Sequence, residues 1–227
     1  MTNWISLLLT LGLYCGAKAL YRRWHHWSLS PLVLVPLLLV TLLLALDVPY
    51  PQYFQLTHWL VWLLGPATVA FAIPIYEHRA LIRRHGLCLA GGVLMGMPAA
   101  VFSSWYLARS LDLSDLLQRS LVAHSVTTPF ALPTTGSIGG STSMVAVFVV
   151  LTGVCGMIVG DAMLRWLPSR SAVARGVMLG AAANGAGAAK ARELGAQEGT
   201  VASLTMVLGG LLTVFSAPLI GWWLDAV

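Results

Sequence analysis

Long apolar runs constrain this chain more than any other feature. Residues 4–20, 29–46, 57–76 and 86–108 each contain at most one charged side chain apart from histidine. A helix of about 20 such residues crosses the roughly 30 Å hydrocarbon core of a bilayer. The whole chain follows suit, with 58% hydrophobic and 9% charged residues and a mean hydropathy of +0.81. A soluble globular domain carries roughly 25% charged residues. In 227 residues there is room for roughly six to eight crossings and for no separate soluble domain. The net charge of +5 sits in clusters at the ends of apolar runs, where topology signals belong, so nucleic acid is not an expected partner. Cys15, Cys88 and Cys155 each lie in an apolar run, are odd in number and lack CxxC spacing. Neither a disulfide framework nor a metal site is expected from them, and no cofactor signature appears. The start of the chain lacks a signal-peptide pattern, so residues 4–20 read as a retained first span.

Charge sets the expected sidedness. Basic loops at residues 21–27 and 78–85 flank spans one, two and three, whereas residues 47–55 carry no Lys or Arg. The positive-inside rule puts the basic loops in the cytoplasm and the N-terminus outside. His25 and His26, between Trp24 and Trp27, read as part of an interfacial belt rather than a metal pair. Residues 110–121 place Leu113, Leu116, Leu117 and Leu121 on one helical face, which predicts a short helix lying in the outer interface.

The next stretch breaks the pattern. Residues 124–140 hold two prolines, three glycines and six Ser or Thr. Each proline removes a helix hydrogen bond, and each glycine costs about 1 kcal/mol against alanine. Broken backbone cannot face lipid, so this segment is expected to line an enclosed cavity. A clear span follows at 142–166, then a basic loop at 165–175. Residues 176–190 are short for a crossing and rich in Gly and Ala. A last span, 201–224, is interrupted by Gly209-Gly210 and Pro218. If both weak segments dip in and return, only Arg109 and Arg119 of the 13 basic residues lie outside. The expected fold is an all-α polytopic membrane protein of about six transmembrane helices plus two opposed re-entrant or broken segments, with an inverted repeat as a candidate organising symmetry. Residues 1–227 form one membrane domain, with N-terminal spans at 1–56 and a core at 57–227 broken near 124–140 and 176–190.

Opposed broken segments are how secondary transporters build a midplane site from free backbone groups and half-helix ends. Half-helix N-termini favour anions. The candidate substrate ligands are Ser125, Thr127, Thr128, Pro129, Ser137, Gly139, Gly140 and Asn184, with Lys190 as countercharge. Close helix packing is the competing role for small residues and is the better account of a lone Ser or Gly. The density of residues 125–140 favours the cavity. His124 is a candidate proton-coupling group, set against a position close to the interface. Thr68, in the further broken stretch 65–74, is a candidate cavity wall, with a simple proline kink as the alternative. Glu193, like Glu198, is a candidate gate, with surface ion pairing favoured. No Ser-His-Asp order, phosphate loop or HExxH motif occurs, so no enzyme is expected.

At these residues the chain resembles the LrgB/CidB family, which takes in bacterial membrane proteins of the YohK type and the C-terminal part of the plastidal glycolate/glycerate translocator. The resembling blocks are Leu64-Gly-Pro-Ala-Thr-Val-Ala-Phe-Ala-Ile-Pro-Ile-Tyr76, Ser125-Val-Thr-Thr-Pro129, Ser137-Ile-Gly-Gly140, Ala146-Val-Phe-Val-Val-Leu-Thr-Gly153, Ala174-Arg-Gly176 and Glu193-Leu-Gly195. They run from about residue 60 to the end. Departures fall at His124, where the family usually has Lys, at Ala183-Asn184 in place of a Ser-His pair, and at Gly187-Ala-Ala-Lys190 in place of Gly-Thr-Ala-Arg. The resemblance implies transport of small carboxylates such as glycolate, glycerate or pyruvate, with H+ or Na+ as candidate coupling ions, in a bacterial cytoplasmic (inner) membrane. It equally implies the family's other label, antiholin-like modulation of murein hydrolase export and autolysis with an LrgA/CidA-type membrane partner. A homodimer is the default oligomer.

Overall fold

The structure, a computed structural model, describes residues 3–24, 27–166 and 171–226. His25, His26 and residues 167–170 of the third basic loop lie outside the described residues. The chain divides into two compact units, Met1–Ala67 and Thr68–Val227. All regular structure among the described residues is helical, as the long apolar runs require of a polytopic membrane protein.

In the first unit α1 (Asn3–Arg23) packs against α2 (Pro31–Ala45) and α3 (Tyr50–Trp62). Thr10 Oγ1 meets the Tyr53 hydroxyl at 3.0 Å, tying α1 to α3. The 21 residues of α1 rise about 31 Å, the length of a span. The 15 residues of α2 rise about 22 Å, short of the hydrocarbon core. Across the described chain, four helical stretches are long and apolar enough to cross: Thr57–Glu77, Arg79–Ser110, Thr142–Trp166 and Ala196–Ala226. The first of them joins α3 through α4 (Leu64–Ala70) to α5 (Ala72–Glu77).

The second unit is built on three long helices, α6 (Arg79–Ser110), α9 (Thr142–Trp166) and α12 (Ala196–Ala226). Helix α6 kinks at His85 and carries arginines over aromatic rings near both ends, Arg79 on Tyr76 at 4.6 Å and Arg109 on Trp105 at 5.3 Å. Such amphipathic pairs mark the two membrane interfaces. The interruption expected at Gly209-Gly210 and Pro218 does not occur, because α12 stays helical for 31 residues. A proline inside a membrane helix is tolerated where neighbours satisfy the freed carbonyl. Gly210 answers a packing need, since a Cβ there would lie 2.1 Å from the Phe130 ring.

Between the long helices lie two helical hairpins. Helix α7 (Asp115–Val122) runs back along α6, with Leu121 and His124 beside Ser103, Ser104 and Leu107. It is therefore a descending leg packed on a neighbour, not the interfacial helix its leucine spacing predicted. After the turn at residues 123–127, α8 (Thr128–Ser137) returns toward the same face. Phe130 packs at Gly210 of α12 and Ile138 at Gly221. The second hairpin is α10 (Ala172–Ala182) and α11 (Asn184–Leu194). A Cβ on Gly187 would sit 2.0 Å from the Leu179 carbonyl. Residues eight apart on one continuous helix would lie about 12 Å apart, so the chain reverses sharply at Ala183-Asn184. Helix α10 follows α12 in parallel, Gly176 against Val201 and Gly180 against Ala202, and α11 comes back to place Arg192 against Gly199. The order long helix, hairpin, long helix thus occurs twice, α6 to α9 and α9 to α12, in opposite directions with α9 shared.

Candidate functional site

The two hairpins enter from opposite faces and their tips meet. The first tip sits beside the middle of α6, with Ser125 and Val126 next to Gly92, Val93 and Met97. The second tip brings Gly180, Ala181 and Asn184 to the same place, closed on the far side by Thr205, Met206 and Gly209 of α12. The cleft they enclose has a volume of about 20 Å³, room for a water molecule or so. None of the side chains lining it is ionisable.

Local sequence explains each tip. Thr127 is extended (φ −67°, ψ 150°) and its carbonyl accepts from the Phe130 and Ala131 amides, starting α8 with Pro129 in the first turn. Proline suits that position because its missing N–H would be unpaired in any case. Asn184 adopts φ +51°, a left-handed conformation that Asn tolerates better than most residues, and is 3% exposed. Its Nδ2 reaches the His124 carbonyl at 3.5 Å, joining tip to tip. Helix α11 begins in the lining of the cleft, at Asn184, and α8 begins at Thr128, two residues beyond Val126, which lines it; the two run away to opposite faces. Two half-helix N-termini therefore point at one small volume, each with a partial positive charge of about +0.5.

Of the residues singled out in the sequence, Ser125, Thr127, Thr128, Pro129 and Asn184 belong to the tips. Ser137, Gly139 and Gly140 do not. They form the turn at the base of the first hairpin, with Gly139 at φ +78° and Ser137 Oγ donating to the Thr134 carbonyl. Gly140 is closely seated on the backbone of Arg119 and Ser120, and the Ser141 amide donates to Ser120 Oγ at 2.7 Å. Lys190 is also at a base, bonded to Asp161 of α9 at 3.4 Å and to Glu193 at 3.2 Å. It is not a countercharge in the cleft. Glu193 is exposed and paired, so the surface-pairing account fits it. Thr68 lies on α4, one turn before Phe71, which stacks on Phe130 at 5.7 Å, and it does not line the cleft. His124 contributes its carbonyl to the tip contact while its ring Nδ1 pairs with the Leu121 carbonyl at 2.6 Å. Thr205 and Met97 line the cleft and were not singled out. The available signal was the Thr205, Gly209, Thr213 series at four-residue spacing in an otherwise apolar span.

At the base of the first hairpin Arg119 bonds Asp225 and Asp115, each at 2.8 Å. Those two carboxylates, Asp225 foremost, raise the guanidinium above its ordinary pKa. The small residues around the hairpins serve contact. Gly156 faces Ala182 and Ala183, Gly160 faces Leu179, and Gly92 faces Val177, each too close for a Cβ without movement.

Sequence comparison finds relatives over nearly the full chain. The chain is 40% identical over 214 residues to "Uncharacterized protein YwbG" of Bacillus subtilis (strain 168), covering 94% of this chain and 95% of that one. It is 35% identical over 218 residues to "Uncharacterized protein YxaC" of the same organism, covering 96% and 95%. No solved structure matches. The model of the LrgB-like family matches residues 10–223, and the chain belongs to that family.

Proposed function

We propose that this protein is a carrier for small organic monoanions such as glycolate, glycerate or pyruvate, working by alternating access in a bacterial inner membrane. The observation that carries the reading is the convergence of two half-helix N-termini, from opposite faces, on one buried cleft. Their dipoles together supply about one positive elementary charge without any ionised side chain. That charge complements one carboxylate, while Ser125 and the Asn184 amide offer hydrogen bonds to its oxygens and to a neighbouring hydroxyl or keto group. A substrate-sized volume requires the tips to part, so the tight cleft corresponds to a closed state between the two open ones. A purely regulatory membrane component has no need for unpaired backbone at mid-depth, where each unsatisfied group costs several kcal/mol.

The test is uptake of labelled glycolate, glycerate and pyruvate into proteoliposomes containing this chain alone, with and without H+ and Na+ gradients. Saturable uptake of at least one is expected. Absence of uptake for all three, together with no thermal shift on adding them, would refute the carrier reading. It would favour the antiholin-like role with an LrgA/CidA-type partner.

A further inference from the structure

Both hairpins are tied to one helix, at its opposite ends. On the outer side Arg119, in the descending leg α7, donates from Nη2 to Asp225 in the last turn of α12. The same guanidinium donates from Nη1 to the Ile138 carbonyl, at 3.0 Å, where α8 ends. One side chain therefore joins both legs of the first hairpin to α12. On the inner side Arg175, in the first turn of α10, pairs with Glu198 in the first turn of α12. Arg192, on the returning leg α11, donates to Ser203 of α12 at 3.0 Å. The second hairpin is thus also held to α12 by both legs. Glu198 and Asp225 are separated by most of a 31-residue helix that rises about 46 Å, which puts one carboxylate at each face of the membrane.

The rest of each hairpin is held by contacts of another kind. The tips meet through a 3.5 Å bond from Asn184 to the His124 carbonyl, and the legs contact α12 through Gly176, Gly180, Gly199 and Gly210. Movement of a hairpin away from α12 breaks no other ion pair to that helix among the described residues. Water competes for the outer pair, in which Asp225 is exposed, so that pair breaks and reforms readily; Glu198 is buried, so the inner pair is the firmer of the two.

We infer that Arg119–Asp225 and Arg175–Glu198 are the outer and inner locks of an alternating gate, each releasing the hairpin on its own side while the other holds. This rests on the carrier reading for its purpose, but its test does not require substrate. Ser125→Cys is introduced at the first tip in a chain whose Cys15, Cys88 and Cys155 are replaced by Ser. Labelling by a membrane-impermeant maleimide is then timed from either face, in right-side-out and inverted vesicles.

Asp225→Asn is expected to raise the labelling rate from the outer face about fivefold or more and leave the inner rate unchanged, and Glu198→Gln to do the reverse. Exchanging the outer partners, Arg119→Asp with Asp225→Arg, should return the outer rate toward that of the parent. Equal acceleration from both faces, or no change from either, overturns the locks. Should Glu198→Gln fail to fold, the exposed outer pair and its exchange decide alone. Sided labelling, with no carboxylate uptake by the parent chain that keeps Ser125, would sink the carrier reading and leave the locks standing. Uptake with unsided labelling would do the opposite.

Discussion

Replacing Gly180 by Ala tests the hairpin geometry directly. A Cβ at this position would lie 2.3 Å from the Ala202 carbonyl oxygen and 2.8 Å from the Ala202 Cα. Both obstacles are backbone, so α10 must move away from α12 by about 1 Å to restore ordinary contact. Overpacking of this sort costs about 3 kcal/mol at the upper end of its range. Alanine recovers about 1 kcal/mol through its better helix propensity. The net loss is about 2 kcal/mol, roughly a thirtyfold change in the folded-to-unfolded ratio, and lowers the melting temperature by about 4–8 °C. Gly91→Ala is the control, because nothing lies within 4 Å of a Cβ there. It should be neutral or raise the melting temperature by about 2–4 °C. Both variants are compared with the parent by thermal unfolding of detergent-purified protein, followed by size-exclusion fluorescence. If Gly180→Ala is as stable as Gly91→Ala, α10 does not lie on α12, and the second hairpin is not re-entrant as described.

Asn184→Gly suits φ +51° and should unfold within about 1 kcal/mol of the parent while slowing carboxylate uptake about tenfold through the lost amide. Parent-like uptake would remove Asn184 from the site. Asn184→Ala should show the same transport defect plus a backbone penalty of about 1–2 kcal/mol, read as a lower melting temperature. Gly139→Ala, at φ +78° where a Cβ would meet the Arg119 side chain only at an ordinary contact of 3.8 Å, should cost about 1–2 kcal/mol by the same measurement, and Gly139→Asn less. Phe130→Ala removes a ring that is 2% exposed and stacked on Phe71. A loss of about 3–5 kcal/mol is expected, seen as poor recovery of monodisperse protein.

Apolar run length, the Pro and Gly clusters and the placement of Arg and Lys were enough to read a polytopic helical protein with two re-entrant segments. Each is a local signal, since one helix crosses or breaks on its own sequence. What required tertiary structure was the neighbour. The Leu113, Leu116, Leu117, Leu121 face of α7 has the same spacing whether it meets lipid headgroups or the side of α6, and only the packing beside Ser104 and Leu107 decides between them. Residues 124–140 were legible as one polar cluster, but α8 within it rises about 15 Å. Its start therefore belongs to the cleft and its end, Ser137 with Gly139 and Gly140, to the membrane face. Lys190 is displaced for the same reason, six residues and about 9 Å along α11 from the tip. Continuous helix through Gly209-Gly210 was hidden because Gly signals a break and a close contact equally well, and Phe130 was too distant in sequence to indicate which.

The two roles open to small residues in this chain turn out to depend on each other. Gly156, Gly160, Gly176 and Gly187 do not line the cleft, and in each the missing Cβ is the contact. Ser125 and Asn184 line the cleft and contribute polar groups. A hairpin of two 11-residue helices reaches mid-depth only if it fits between α9 and α12 with helix backbones nearly touching. Side chains of ordinary size would hold the axes about 8–10 Å apart. The glycines remove that spacing, so the tip of α11 arrives opposite the tip of α8 with its dipole unscreened by bulk. Substitution at a packing glycine should therefore reduce transport through displacement of a tip it never touches. Gly187→Ala, beside the Leu179 carbonyl, should lower uptake and stability together, in contrast to Asn184→Gly, which lowers uptake alone. Should Gly187→Ala transport like the parent at parent stability, the link between close packing and tip placement would be wrong.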